Sequence, residues 1–595
     1  MIAALLAVVL ATPGYIDDAA CGECHAEHAA TFQHVGMAQS FYKPRASNSI
    51  ENFDAPPFFH AKSKQYFEMR RRGDALVFRR WELAADGAPI HLYEQQVDWI
   101  LGSGHHARTY LYRVPGGELY QLPIAWYTQT REWAMAPGYD RADHDGVMRR
   151  VRHECMFCHN AYPEIAAEPL SYWRSQSLPK ELPEGIGCQR CHGPGAKHAA
   201  LATGGDAAAI RASIVNPARL DARRRMDVCY ECHMQPAVSL FAARKFGRDM
   251  YSFRPGQLLA DYAPQVDITD ATLPRDQRFE INHHPYRLEQ SRCFRESAGK
   301  LTCLTCHDPH RKVSESERAS HYRAACMSCH ANAHNATSDC TTCHMPARRT
   351  QDVVHVTMTD HFIRRTPGGP ELLAPLEERE PVIEKVEFLD PASAPQGLLG
   401  ELYRLIPLVR ANGSGASLMQ RLETLLAQIQ PPELEPYLDL AMVELRTRRY
   451  AELEKTATRV LERAPKQPLA TEWLGLARAA RAGNPEVAIP YLRDAVKADP
   501  RPESLFNLGV FLAVRGRTHE AMEAYERALA ARPNLAAAWV RLGDARRECG
   551  DLAGAIDAYR KAVAIEPAQK RYVAMLADAL DAFGDHEEAA RERGH

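Results

Sequence analysis

The sequence predicts a multidomain chain: a helix-and-loop half rich in Cys and His, interrupted by a β-rich insertion, then an all-α solenoid of repeated helix pairs. Three observations predict it. Seven copies of Cys-x-x-Cys-His lie between Cys21 and His344. Short alternating apolar runs separated by Gly-rich turns fill part of the stretch between His25 and Cys155. Beyond about residue 434, Pro465, Pro500, Pro533 and Pro567 recur at intervals of 35, 33 and 34 residues. A length of 595 residues is enough for several domains, and 45% apolar with 25% charged residues is ordinary globular composition. Lys+Arg at 73 against Asp+Glu at 75 argues against nucleic acid as a partner.

Residues 1–11 are continuously apolar and end in Val9-Leu10-Ala11, a small-residue cleavage pattern, so they read as a signal peptide without the usual positive n-region. The run is too short to span a bilayer, and no transmembrane segment is expected in the mature chain.

Residues 12–370 hold all seven motifs: Cys21–Cys24–His25, Cys155–Cys158–His159, Cys188–Cys191–His192, Cys229–Cys232–His233, Cys303–Cys306–His307, Cys326–Cys329–His330 and Cys340–Cys343–His344. With 16 Cys and 26 His in the chain, chance supplies roughly 0.02 copies. The spacing suits covalent haem. Two thiols add across the two vinyl groups, and the adjacent imidazole sits under the iron as proximal ligand. Zinc half-sites and redox dithiols also use Cys-x-x-Cys, but neither needs His directly after every second Cys. Seven c-type haems are therefore expected. Because covalent attachment takes place outside the cytoplasmic membrane, so is a periplasmic or extracellular location.

The β-rich insertion is expected at about 58–135. Tyr66 to Arg71 and Ala75 to Trp81 flank Arg72-Gly73-Asp74, and Tyr110 to Val114 and Leu119 to Ile124 flank Pro115-Gly116-Gly117, both hairpin signals. Outside it the haem half should be helix and loop with little regular structure. The aromatic group Trp126, Tyr127, Trp133 and Tyr139 reads as core rather than as a cofactor box. Cys293 and Cys549 belong to no motif. Cys293 reads as a buried thiol, with a distal thiolate as the alternative.

Residues 371–433 read as a Pro-rich acidic linker followed by two helices, Leu398 to Val409 and Leu418 to Gln428, that lead into the repeats. In 434–595, Trp539, Leu542, Gly543, Ala555, Tyr559, Ala562 and Pro567 fall at tetratricopeptide positions. Leu505, Leu508, Gly509, Ala521, Tyr525, Ala528 and Pro533 do the same one unit earlier. A degenerate unit after Pro567 should cap the stack. The repeat domain is expected to be separable and to dock redox partner proteins or other copies of the chain.

The haem half resembles a multihaem cytochrome c family seen fused to tetratricopeptide repeats, related to cytochromes of respiratory nitrogen metabolism. The stretches that carry the resemblance are Gly102-Ser-Gly-His-His-Ala-Arg108, Trp133-Ala-Met-Ala-Pro-Gly-Tyr139, Gly187-Cys-Gln-Arg-Cys-His-Gly-Pro-Gly195 with His198, Cys303-Leu-Thr-Cys-His-Asp-Pro-His310, and Cys340-Thr-Thr-Cys-His-Met-Pro346 with His355 and Asp360-His361. It covers residues 20 to 365 and implies a haem-packed, mainly α/loop multihaem cytochrome domain. It also implies that His198 and His310 are distal ligands that follow one haem but reach another, with His355 and His361 similar. His34, nine residues after His25, matches a common ligand pattern. His105 or His106, His284 and His334 are further candidates. A second imidazole on each iron makes a low-spin centre suited to electron transfer.

Electron transfer through seven haems, with the repeats docking partners, is the expected function. The first alternative is a multihaem oxidoreductase with one open haem acting on a small nitrogen or sulfur compound. The Cys-x-x-Cys-Lys motif of pentahaem nitrite reductases is absent. The second alternative is a repeat-based scaffold or sensor.

Overall fold

The computed structural model describes residues 14–161, 172–174, 176–234, 244–330, 339–412 and 415–594. The expected signal peptide, 1–11, lies outside them. Among the described residues no helix is long and apolar enough to cross a membrane.

The N-terminal region is β-rich. Strands β1 (Phe41–Tyr42), β2 (Phe58–His60), β3 (Gln65–Arg72), β4 (Ala75–Leu83), β5 (Pro89–Val97), β6 (Trp99–Leu101), β7 (Ala107–Arg113), β8 (Leu119–Tyr127), β9 (Glu132–Met135) and β10 (Arg149–Val151) form two antiparallel sheets. One is the meander β2-β3-β4-β5. The other runs β1-β6-β7-β8-β10, with β9 also on β8. Gly73 (φ 63°) and Gly117 (φ 89°) turn the β3–β4 and β7–β8 hairpins in the left-handed conformation that a side chain would strain. Burial alternates along β3 and β4, whereas β8 is buried almost throughout. The reason is that one apolar cluster joins Phe67 and Phe78 of the first sheet, Tyr110, Trp126 and Tyr127 of the second, and Val540 and Tyr559 of the C-terminal helices. Trp126, Tyr127 and Tyr139 are core side chains in it.

The C-terminal region is a stack of helix pairs: Glu435–Arg446 with Tyr450–Arg463, Pro468–Ala482 with Ala488–Ala498, Pro502–Val514 with Thr518–Ala531, Ala536–Glu548 with Leu552–Ile565, and Lys570–Phe583 with His586–Arg593. Gly475, Gly509 and Gly543 sit where paired helices cross. A Cβ on Gly509 or Gly543 would run into the ring of Tyr525 or Tyr559, and this close approach is why the pattern asks for glycine there.

Two expectations need correction. The linker is not a free tether: β14 (Ile383–Phe388) within it pairs antiparallel with β11 (Val266–Asp270) of the Cys/His-rich half. Another hairpin, β12 (Ala347–Arg349) with β13 (Thr357–Thr359), adds to the strand content outside the insertion. Nor are the repeats separable. The second helices of four successive pairs end against the N-terminal half. Asp499 takes Arg174 at 3.1 Å, the carbonyl of Ala531 accepts the N–H of Gly116 at 2.8 Å, the carbonyls of Ala564 and Ile565 accept from buried Arg80, and Glu592 meets His91 at 2.8 Å. Two of these contacts, from the Gly116 N–H and the Arg80 guanidinium, offer donors to the negative end of a helix and satisfy carbonyls left without a partner inside it. Further along, Glu435 accepts from the Tyr172 amide at 2.7 Å and Asp439 from the Trp173 indole at 2.9 Å. The stack thus docks by one edge, repeat by repeat. A cut near residue 375 would strip β11 of its partner and bare the shared apolar cluster.

Candidate functional site

Six of the motifs lie on short helical segments: Ala19–Cys24, His153–His159, Gln189–His192 behind its cap Cys188, Ala222–His233, Cys303–Cys306 and Cys340–His344. Cys326 lies in the last turn of the helix Glu315–Met327. A helical turn puts residues three apart on one face, so both thiols of a motif point the same way, with the imidazole beside them.

Motifs far apart in sequence meet at their thiols. Cys21 neighbours Cys188, Cys158 neighbours Cys232, Cys229 neighbours Cys303, and Cys326 neighbours Cys340. Asp18 joins the first pair, with donor atoms of the three residues within 4.8 Å of one another. The residues between the cysteines interlock as well. Arg190 of the third motif donates to the carbonyl of Phe157 in the second at 2.9 Å and meets Glu231 of the fourth at 3.4 Å, both side chains almost fully buried. Burial pushes the Glu231 carboxyl up to about 8, against the pull of Arg190.

The imidazoles form a second network. His198 faces His25 with ring centroids 6.3 Å apart and planes 13° from parallel. His310 faces His192 at 5.8 Å and 18°, and His361 faces His307 at 6.1 Å and 26°. With metal–imidazole bonds of about 2 Å on each side, two rings sharing one ion have centroids about 6 Å apart. The nitrogens are also committed suitably. Nδ1–H donates to a backbone carbonyl in His192 (Val215, 2.8 Å), His198 (Ile210, 3.0 Å), His344 (Arg364, 2.8 Å) and His361 (Thr359, 3.1 Å), leaving Nε2 as the ligand atom in each. Burial lowers His361 and His159 to about 4 and pushes His284 well below the usual imidazole range. Neutral rings are what metal ligation requires. The residues therefore fit haem iron in donor type, spacing and tautomer.

Asp360 explains how His361 is aimed. Its buried carboxylate accepts from Arg287 at 2.9 and 2.8 Å, from Arg364 at 3.2 Å and from the Phe362 amide at 3.0 Å, which clamps the segment that carries His361.

The other candidates fall elsewhere. His34 is exposed in the turn after the helix Ala26–Phe32. His105 accepts from Lys312 Nζ at 3.1 Å, beside Gly36. His284 lies 4.4 Å from His361, next to a ring already facing His307. His355 packs its ring tilted 56° against Tyr127, centroids 4.9 Å apart, and turns Nε2 toward Asp140 at 3.7 Å, where His60 also binds at 3.2 Å. His334 lies outside the described residues. Two imidazoles that sequence reasoning passed over stand beside the network. His28 has its ring 4.7 Å from His310, and His321 has Nε2 2.9 Å from the carbonyl oxygen of Cys306. Only the 3-residue step from His25 to His28 marked the first, and no local signal marked the second. Cys293 is half-buried in the helix Arg292–Glu296, and Cys549 is exposed at the end of Ala536–Glu548.

Comparison with known proteins reaches the C-terminal region. The tetratricopeptide-repeat family model matches residues 478–536 and 516–570, and these are tetratricopeptide repeats. Among solved structures, MamA 41-end from Desulfovibrio magneticus RS-1 is 23% identical, with 27% of this chain and 90% of that chain covered at a TM-score of 0.25. YrrB, described as a TPR protein with an unusual peptide-binding site, is 14% identical over 29% of this chain and 88% of its own, at 0.25. Pseudomonas aeruginosa pilF is 21% identical over 27% and 72%, at 0.26. No curated protein matches the chain.

Proposed function

We propose that the chain is an exported multihaem c-type protein that transfers electrons, built onto a repeat array that binds protein partners. The repeat match supports the second half of this reading, a protein-interaction role. One observation carries the first half: seven complete Cys-x-x-Cys-His motifs in a fold that faces His198, His310 and His361 onto three of the motif histidines at about 6 Å. The cysteines of each motif would hold haem covalently, and His25, His159, His192, His233, His307, His330 and His344 would be the proximal ligands. Haem iron supplies a reversible one-electron couple.

What the chain contributes is order and dryness. The fold sets the attachment points of motifs one and three, two and four, four and five, and six and seven next to one another. The Arg190–Glu231 pair locks motif three to motif four. Carbonyls at Val215, Ile210, Thr359 and Arg364 keep Nδ1 protonated, so four rings have their tautomer set before any metal arrives.

The visible and EPR spectra of the oxidised holoprotein test this reading. A low-spin spectrum for the haems at His25, His192 and His307 is expected. A high-spin majority would overturn the carrier and favour an oxidoreductase with open irons. The scaffold reading is favoured by the repeats being the part that a family model matches. It predicts partner capture that is indifferent to haem oxidation state, whereas a carrier exchanges electrons with what it captures.

A further inference from the structure

We propose that a polar cavity beside the helix Ala222–His233 is an anion-binding site for a small oxyanion or a carboxylate. The cavity has a volume of about 530 Å³, and Arg224, Lys245, Arg248, Gln257, Asp261 and Tyr262 line it. Three cations face one carboxylate across it. Arg224 is already engaged, since it donates to Asp221 at 2.7 Å. Lys245 and Arg248 have no carboxylate within ion-pair distance among the described residues, whereas Arg223 nearby holds Asp227 and Asp390, and Arg275 holds Asp267. Lys245 and Arg248 bring like charge to the lining of one concavity, and an anion bound there offsets it.

The walls are built rather than loose. The Lys245 amide donates to the carbonyl of Tyr262 at 2.8 Å, and the Arg248 guanidinium lies 4.5 Å from the centre of the Tyr262 ring. Tyr262 itself is buried in a cluster with Met226 and Tyr230, with Cys229 packed against it. Asp227, buried on the same helix, accepts the Leu259 amide at 2.9 Å and fixes the turn that carries Asp261 and Tyr262. The volume exceeds that of a single sulfate, so the cavity accommodates an oxyanion with its waters, or the end of a larger carboxylate-bearing group.

Two sources supply that chemistry. One is a free oxyanion from solution. The other is a carboxylate arm of the haem expected on Cys229 and Cys232, carried by the same helix; this second source alone rests on the covalent-haem reading, which an intact mass checks independently.

The test uses full-length holoprotein and the double variant Lys245→Gln/Arg248→Gln, whose side chains are exposed or half-exposed and whose fold far-UV circular dichroism verifies. Titration with inorganic sulfate and phosphate at low ionic strength reads the free-anion source. Binding to the natural protein that weakens tenfold or more in the variant assigns the site to an oxyanion. No binding, with a lowered midpoint potential for one-seventh of the haem in the variant, assigns it to a haem carboxylate, because removing positive charge favours the oxidised iron. Equal binding by both proteins, or no binding with unchanged potentials, overturns the proposal.

Discussion

Changing Glu118 to Gln should loosen the repeats from the β-sheets. Glu118 and Arg150 come from the N-terminal half, Glu503 and Arg532 from the repeats, and the four charges alternate. Arg532 binds Glu118 through two bonds of 2.6 and 3.0 Å and Glu503 at 2.9 Å, while Arg150 reaches Glu118 at 3.4 Å and Glu503 at 2.6 Å. Arg532 and Glu118 are only 3% and 4% exposed as side chains, so neither charge recovers hydration when its partner is neutralised. Breaking a buried pair from one side costs about 3–5 kcal/mol. Glu503 remains as a partner and is one-third exposed, which places the cost near the lower end, about 3 kcal/mol. The double variant Glu118→Gln/Arg532→Gln should regain much of that loss, because no orphaned charge is left. The outer pair Arg591–Asp86, 33% and 51% exposed, sets the comparison: water screens it, and Asp86→Asn should cost much less than Glu118→Gln. Urea unfolding followed by circular dichroism measures the natural protein, Glu118→Gln, Arg532→Gln and their double variant as a double-mutant cycle, with Asp86→Asn as a fifth protein. A Glu118→Gln loss no larger than that of Asp86→Asn would refute the edge-docked interface.

His91 sits between Glu82 and Glu592 at 2.8 Å each. Burial pulls its pKa down, but the two carboxylates outweigh it and raise the group to about 9. The folded protein therefore holds this proton more tightly than the unfolded chain. The contribution is complete below about pH 6.5, declines as pH rises toward 9, and is gone above it. Stability measured from pH 6 to 10 should fall by up to about 3 kcal/mol more in the natural protein than in His91→Gln, and parallel curves would dispose of this assignment. Asp360→Asn should leave haem attached yet raise the high-spin signal by about one-seventh, since the Arg287 clamp aims His361; an unchanged spectrum would mean that the clamp does not position the ring. Gly543→Val should cost about 1–3 kcal/mol by driving a Cβ into the Tyr559 ring, read as a lower urea midpoint for the repeats, and a neutral result would contradict the helix crossing described here.

Local signals carried much of the fold. The β3–β4 and β7–β8 hairpins are legible because Gly73 and Gly117 must take positive φ at the turn, and alternation on either side marks the strands. The repeats are legible because a glycine under a tyrosine recurs with the period. The short strand Ile383–Phe388 hid in an acidic, Pro-rich stretch because four of its six residues, Glu384, Lys385, Val386 and Glu387, mix charge with a single fully buried side chain. The edge docking was not legible either. Its contacts join residues hundreds of positions apart, such as Arg80 with Ala564, through helix-end carbonyls that carry no sequence mark. In the site, the motifs announce the cysteines and the adjacent histidines, but the facing rings lie outside the motifs: His198 lies 173 residues beyond His25. Resemblance pointed to His198, His310 and His361, while His28 and His321 emerge from packing alone.

The central claim is that each Cys-x-x-Cys-His motif holds haem, and the intact mass of the denatured, exported protein tests it most directly. The account predicts a mass above the processed polypeptide by seven haems that acid-acetone does not extract. A mass showing fewer than six, from cells with a working haem-attachment system, or one matching bare polypeptide with zinc removed on denaturation, would contradict it.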